Sequence, residues 1–163
     1  MYINVKGGIF MFNHHLTASE ALPIMLAAFE RYKEDPQPSS ALKETVESLE
    51  QELENGVYCI GYQLEEELVA MSKYKWMPNA LYFSRLSVLP SYQRRGIASK
   101  LVDELARMAL AQHKAFLQCK VHKSEAGNIA LYTKLGFTIT TEELYTNLNG
   151  EVMAIVSMEK IIQ

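Results

Sequence analysis

Val88-Leu89-Pro90-Ser91-Tyr92-Gln93-Arg94-Arg95-Gly96-Ile97-Ala98-Ser99-Lys100-Leu101 reads as the end of a β-strand, a short loop and the first turn of a helix. A helix start presents backbone N–H groups that have no partner within the helix, together with the positive end of the helix dipole. Such a terminus is an anion site, and phosphate is a frequent occupant. Gly96 lets a ligand approach the backbone closely, and Arg94 and Arg95 add positive charge. The residues point to a diphosphate-binding loop. A Walker loop is excluded because Gly-x-x-x-x-Gly-Lys-Ser/Thr is absent, and the three glycines of a dinucleotide fingerprint are missing too.

Downstream of the loop, Ile97, Leu101, Leu105 and Met108, joined by Ala98, Val102 and Ala109, form a broad apolar stripe at helical spacing. A short buried strand is predicted over 115–121 and a helix over 125–134, ended by Gly136. Residues 137–148 and 151–161 flank Asn149-Gly150, the strongest hairpin signal in the chain. Upstream, strands are predicted over 57–64, 68–76 and 80–88, with Glu65-Glu66-Glu67 and Pro78-Asn79 as turns. The apolar positions of the third strand change parity at Leu86 and Val88, the mark of an inserted residue, a β-bulge. Thr17-Ala18-Ser19-Glu20 is a capping box that opens a helix through Leu22, Met25, Leu26 and Phe29. Pro23 either kinks that helix or marks a later start. After a loop over 35–40, a second helix is predicted over 41–54, with Leu42, Val46, Leu49 and Leu53 inward, its glutamates solvated and Asn55-Gly56 as its stop. At the N-terminus, two short strands about Gly7-Gly8 compete with a loose extension before one strand.

The chain has 163 residues, 48% of them hydrophobic, enough for one mixed α/β domain over 1–163 with a sizeable core. A net charge of −3 argues against a general nucleic-acid binder. No apolar run approaches the roughly 20 residues needed to span a bilayer, and the apolar first residues lack the flanks of a signal peptide. Cys59 and Cys119 stand far apart, with no metal-type spacing, so a reducing, cytoplasmic setting without disulfide or metal is expected.

Gln93-Arg94-Arg95-Gly96-Ile97-Ala98 fits Gln/Arg-x-x-Gly-x-Gly/Ala. Val88-x-Pro90 precedes it, and Leu131-Tyr132-x-Lys134-x-Gly136-Phe137 follows at a distance. Together these resemble the GNAT superfamily of acetyl-CoA-dependent N-acetyltransferases, sharply over 80–137. The resemblance implies a central, mostly antiparallel twisted sheet of six to seven strands with a splayed central pair, flanked by about four helices. It implies that acetyl-CoA is the acetyl donor and that a small-molecule, peptide or protein amine accepts the acetyl group directly in a ternary complex. Leu86, Ser87 and Val88 would offer backbone groups to the pantetheine arm. Arg94, Arg95, Gly96, Ile97, Ala98 and Ser99 would wrap the pyrophosphate. Tyr132 matches the family tyrosine beside the CoA sulfur, where a phenol delivers a proton or a hydrogen bond to the leaving thiolate.

The chain departs from the family where many members place Asn seven residues before the tyrosine and Ala four before it: Glu125 and Asn128 stand there. Asn128 lies one turn further along the same helix face and is carried over as a candidate CoA contact. Lys100 and Lys134 are candidate phosphate contacts. Lys120 occupies the place where some members carry a catalytic glutamate, which leaves His122, Tyr82, Ser84 and Glu125 as candidate bases. The departures also keep a second function open, a domain that binds acyl-CoA as a sensor without turnover. His14 and His15 read as surface residues, Cys119 as a small core residue, and most of Tyr58, Tyr62, Tyr74, Trp76 and Tyr82 as core. A homodimer through a sheet edge or the C-terminal hairpin fits the pattern.

Overall fold

The computed structural model describes residues 2–5, 8–34 and 40–162. Lys6 and Gly7 of the N-terminal turn, and 35–39 of the loop after the first helix, lie outside the described residues. The chain divides into two units. One comprises 1–76 and 83–104, the other 77–82 and 105–163.

The first unit holds β1 (Tyr2–Val5) and β2 (Gly8–Asn13), which pair antiparallel, with Val5 opposite Gly8. The two-strand reading of the N-terminus therefore holds. β2 pairs with β3 (Val57–Leu64), and β3 with β4 (Glu67–Trp76), both antiparallel. Glu65 and Glu66 turn between β3 and β4 with φ of 50° and 72°. Two successive left-handed residues make the tight hairpin that matches strand twist, and Glu67 is thereby free to start the strand. Next to β4 runs β5 (Ala80–Val88), whose residues from Phe83 onward belong to this unit.

Helix α1 (Ala18–Phe29) begins where Thr17 Oγ1 accepts from the Glu20 amide and the Glu20 carboxylate accepts from the Thr17 amide. Pro23 marks no later start: it sits inside α1, where it forgoes only the bond to Ser19. The second helix is shorter than its hydrophobic pattern suggests. Ser40–Lys43 forms a 3-10 turn, and α2 (Val46–Glu54) starts at a second capping box in which Thr45 and Ser48 bond each other's amides. Thr45 ends the first segment because its extended backbone caps the next one. Leu16, Leu22, Met25, Leu49, Cys59 and Met71 form one buried cluster, against which Val46, Leu53 and Leu89 pack. A fully buried Leu there contributes about 2 kcal/mol of transfer free energy.

The second unit holds the start of β5, paired parallel to β6 (Phe116–His122) over three pairs, from Ala80↔Phe116 to Tyr82↔Gln118. β6 pairs antiparallel with β8 (Val152–Ile161), and β8 with β7 (Thr138–Thr146). Asn147 Oδ1 accepts the amides of Asn149 and Glu151, closing the hairpin around Gly150. α4 (Ala126–Lys134) ends at Leu135, with Gly136 at φ 97° in the left-handed position that stops a helix. Helix α3 (Ile97–Ala111) contributes its first turns, through Glu104, to the first unit and its last to the second. Its predicted stripe is buried at Ile97, Leu101, Val102, Leu105, Met108 and Ala109. β1 adds a short strand beyond the six to seven of the expected sheet, and four α-helices form among the described residues.

Both cysteines are buried, and burial pushes each thiol up to about 12; burial also raises the Tyr132 phenol. Unfolding returns the thiols to about 9, so above that pH the unfolded chain has released protons that the folded chain retains. Stability is therefore full below pH 9 and declines as pH rises toward 12. Urea unfolding at about pH 8 and about pH 10 is expected to differ by about 3 kcal/mol, roughly half from each thiol. An unchanged free energy across that interval would contradict the burial of both thiols.

Candidate functional site: the β5 end and the α3 start

In the first unit the loop between β5 and α3 is built from Leu89 onward. The Leu89 amide donates to Val69 O on β4 at 2.9 Å, tying the end of β5 down. Pro90–Tyr92 forms a single 3-10 turn, and Gln93 Nε2 returns to Val88 O at 3.1 Å. Arg94 and Gly96 both take left-handed backbone, with φ of 63° and 77°. The carbonyl of Gly96 accepts the Lys100 amide at 3.1 Å, so Gly96 is the residue that opens α3. The amides of Ile97, Ala98 and Ser99 are consequently the first-turn amides that a helix leaves without an internal partner. A Cβ built on Gly96 meets no atom within 4 Å, so the space at that position is open. Arg94, Arg95 and Gly96 are exposed, Ile97 is buried, and Ala98 and Ser99 are half-buried. The Arg95 guanidinium lies 5.0 Å from the Tyr92 ring centroid, and Tyr92 donates to Glu67 at 2.8 Å. The loop thus sets two exposed arginines and three first-turn amides side by side, with Glu67 reached through Tyr92.

The end of β5 departs from regular strand backbone one residue before the parity change at Leu86. Arg85 sits at φ 55°, a conformation that costs a non-glycine residue about 1–2 kcal/mol. Its neighbours are held on both sides. Ser72 Oγ donates to Ser84 O at 3.0 Å, and the buried Ser87 hydroxyl donates to Arg85 O at 2.8 Å. Arg85 Nε donates to Glu44 Oε2 at 3.0 Å and Nη2 to Ser40 Oγ at 2.9 Å. The other oxygen of Glu44 takes Lys73, a nearly buried lysine that also reaches Glu52 at 2.7 Å. The expectation of a solvated glutamate face on the second helix is therefore corrected at Glu44 and Glu52. The buried Lys73 pairs with both carboxylates, because an unpaired buried lysine is costly, and Glu44 is largely withdrawn from solvent.

Two further side chains take partners that the sequence does not announce. Lys100 Nζ rests over the Phe10 and Tyr62 rings, at 5.1 Å and 5.8 Å from their centroids, a cation–π position in the first turn of α3. His14 is not a plain surface residue: its Nε2 lies 2.8 Å from Glu104 on α3, and its carbonyl accepts the Tyr74 hydroxyl at 2.8 Å. Of the candidate aromatics, Tyr62 and Tyr74 are core, whereas Tyr58 and Trp76 are exposed.

In the second unit Tyr132 is buried on α4, its ring centroid 5.5 Å from that of Phe137. Burial, with a smaller contribution from Cys119, raises its phenol well above the ordinary tyrosine value, so the hydroxyl keeps its proton across the working pH range. Asn128 is half-buried one turn earlier on the same helix, four residues before Tyr132, whereas Lys134 is exposed in the last turn. Lys120 and His122 are exposed on β6, and Glu125 is the residue that precedes α4. Cys119 is core, as expected, and its raised thiol is a poor nucleophile. Among the described residues no group of three or more His, Cys, Asp or Glu is gathered as for a metal ion, and no helix is long and apolar enough to cross a membrane.

The family profile described as Acetyltransferase (GNAT) family matches residues 22–137. The chain belongs to the GNAT acetyltransferase family. It is thereby an acetyl-CoA-dependent acyltransferase of mixed α/β fold. Solved GNAT structures share the fold. The ribosomal-protein-S18-alanine N-acetyltransferase of Escherichia coli is 20% identical, with 94% of each chain covered and a TM-score of 0.71. A ribosomal-protein-alanine N-acetyltransferase of Brucella melitensis is 22% identical over 93% of this chain and 99% of that one, with a TM-score of 0.72. A GNAT acetyltransferase of Elizabethkingia anophelis, solved with acetyl-CoA bound, is 16% identical over 93% and 97%, with a TM-score of 0.68. No curated protein sequence matches the chain.

Proposed function

We propose that this GNAT acetyltransferase works as one domain that moves the acetyl group of acetyl-CoA directly to a primary amine within a ternary complex. The observation that carries the reading is Gly96, which opens α3 with left-handed backbone and open space at its Cβ position, between two arginines and three first-turn amides.

Bound acetyl-CoA supplies an activated acyl thioester. The amides of 97–99, helped by Arg94 and Arg95, hold the diphosphate. Backbone groups of Leu86, Ser87 and Val88 orient the pantetheine arm. An amide near Val88 faces the carbonyl oxygen as charge develops on it, the role of an oxyanion hole. The amine nitrogen forms the new C–N bond, the C–S bond breaks, and sulfur leaves as a thiolate. Tyr132 donates a hydrogen bond to that sulfur. Its raised phenol makes complete proton transfer to a thiolate uphill, so hydrogen-bond donation is the role that fits. Asn128 and Lys134 are assigned supporting contacts with CoA. The amine reacts as its neutral form, although a free alkyl ammonium titrates near about 10.4. Its proton therefore passes to one of His122, Tyr82, Ser84 or Glu125, directly or through water.

The test follows free thiol while the protein is incubated with acetyl-CoA and, in turn, polyamines, amino acids, aminoglycosides and peptides. An alanine-initiated peptide belongs in the panel because two structural relatives are named for alanine acetylation. Amine-dependent thiol release with an equal yield of acetylated amine is expected. Tight acetyl-CoA binding with no thiol release for any amine would favour the sensor, and absence of binding would defeat both readings.

A further inference from the structure

We propose that Arg85 and Glu44 form a clamp that holds the strained end of β5 in register for acetyl-CoA, making both positioning residues for the transfer. The inference rests on the reading of 86–88 as the pantetheine-binding backbone. Three observations carry it. First, Arg85 is a non-glycine residue at φ 55° immediately before Leu86. Such backbone persists only where its surroundings over-determine it. Second, the Arg85 side chain itself supplies a long-range part of that constraint. The Arg85 fork reaches Glu44 and Ser40, both on the segment before α2 and far away in sequence. Third, Glu44 is itself immobilised. It is 12% exposed and shared with Lys73, whose other partner is Glu52. Two carboxylates and two cations thus balance at one point of the first unit, and the residue they anchor is Arg85 with its left-handed backbone. The hydrogen bonds of Ser72 and Ser87 fix the carbonyls of Ser84 and Arg85. The ion pair fixes the side chain between them.

The geometry separates this role from direct ligand contact. Glu44 lies on neither β5 nor the 93–99 loop, and its link to β5 is the Arg85 side chain. Arginine is also specifically required, because one planar group meets a carboxylate and a hydroxyl at once, whereas a lysine ammonium lacks that fork.

The experiment measures acetyl-CoA affinity by calorimetry and amide exchange of 86–88 in the ligand-free protein, for wild type, Glu44→Gln, Arg85→Gly, Arg85→Lys and the Glu44→Gln/Arg85→Gly double variant. Glu44→Gln and Arg85→Gly are each expected to weaken acetyl-CoA about tenfold and to speed exchange at 86–88 by at least about tenfold. The double variant is expected to be no worse than the weaker single one, since both break the same link. Arg85→Lys should recover only part of the loss. Arg85→Gly is informative about stability as well, because glycine removes the backbone cost while losing the clamp. If Glu44→Gln does not fold, Ser40→Ala cuts the other arm at an exposed position and should speed the same exchange to a smaller degree. Binding and exchange unchanged in Glu44→Gln would overturn the proposal. So would lost binding in Arg85→Gly alongside normal binding and exchange in Glu44→Gln, which would mean that Arg85 touches the ligand itself. If wild type fails to bind acetyl-CoA, the reading of the site fails instead, and the exchange data still decide whether the clamp exists.

Discussion

Gly96→Val is expected to weaken acetyl-CoA binding about a hundredfold or more while lowering the melting temperature by only about 5 °C. The two effects separate because they have different causes. A Cβ at Gly96 meets no protein atom within 4 Å, so the folded state suffers only the backbone cost of a branched residue at φ 77°. That cost is about 2 kcal/mol, which corresponds to a few degrees in a chain of this size. The ligand meets more. With the diphosphate held as proposed, the added carbons would crowd its approach to the amides of 97–99, and charge-assisted hydrogen bonds are worth about 1.5–3 kcal/mol each. Losing two of them accounts for the hundredfold. Gly96→Ala should show the same separation at smaller amplitude. Calorimetry with acetyl-CoA beside a thermal melt measures both. If affinity fell only as much as stability, Gly96 would be an ordinary helix start and the diphosphate assignment would be lost.

Tyr132→Phe is expected to lower kcat about 100- to 1,000-fold, the cost of removing one preorganised hydrogen-bond donor to developing charge, and to leave the acetyl-CoA KM within about threefold. Phenylalanine keeps the ring, its burial and its packing on Phe137, and removes only the hydroxyl. The phenol is raised by burial, so it stays protonated through the range in which an amine becomes neutral. Wild-type activity should therefore climb with pH as the amine loses its proton, with no decline from Tyr132 up to about pH 10. The measurement is steady-state thiol release across pH for both proteins. An unchanged rate and pH profile in the variant would remove Tyr132 from the chemistry. A lost rate with unchanged pH dependence is what a hydrogen-bond donor produces.

What the sequence disclosed, and what it hid, follows from the range of the interactions. Signals confined to a few residues were legible. Thr17 and Glu20 cap α1 as their spacing implies, and Gly136 stops α4. The parity change at Leu86 falls beside Arg85, whose left-handed backbone interrupts the end of β5. The stretch from Gln93 to Ala98, with Leu131 and Tyr132, named the family that the profile over 22–137 bears out. Thr45 and Ser48 were also local, yet the apolar spacing from Leu42 to Leu53 runs straight through them and masked the break before α2. Interactions between distant residues left no signal. Lys73 meets Glu44 and Glu52 from 29 and 21 residues away, and Arg85 meets Glu44 from 41. In sequence each is one more charge on a polar face. Only the packing of α2 against β3, with β4 alongside, turns them into a buried network. The same holds for His14 and Glu104, 90 residues apart. The loop's backbone and the helix start were therefore readable, whereas the contacts that hold the strand end in place were not.

The most direct test of the account is amide exchange with and without saturating acetyl-CoA. Protection is expected at two segments of the first unit, the amides of 97–99 at the start of α3 and those of 86–88 at the end of β5, and it should vanish in Gly96→Val. Protection elsewhere with none at these two segments would contradict the account, because acetyl-CoA would then be bound by a different part of the chain.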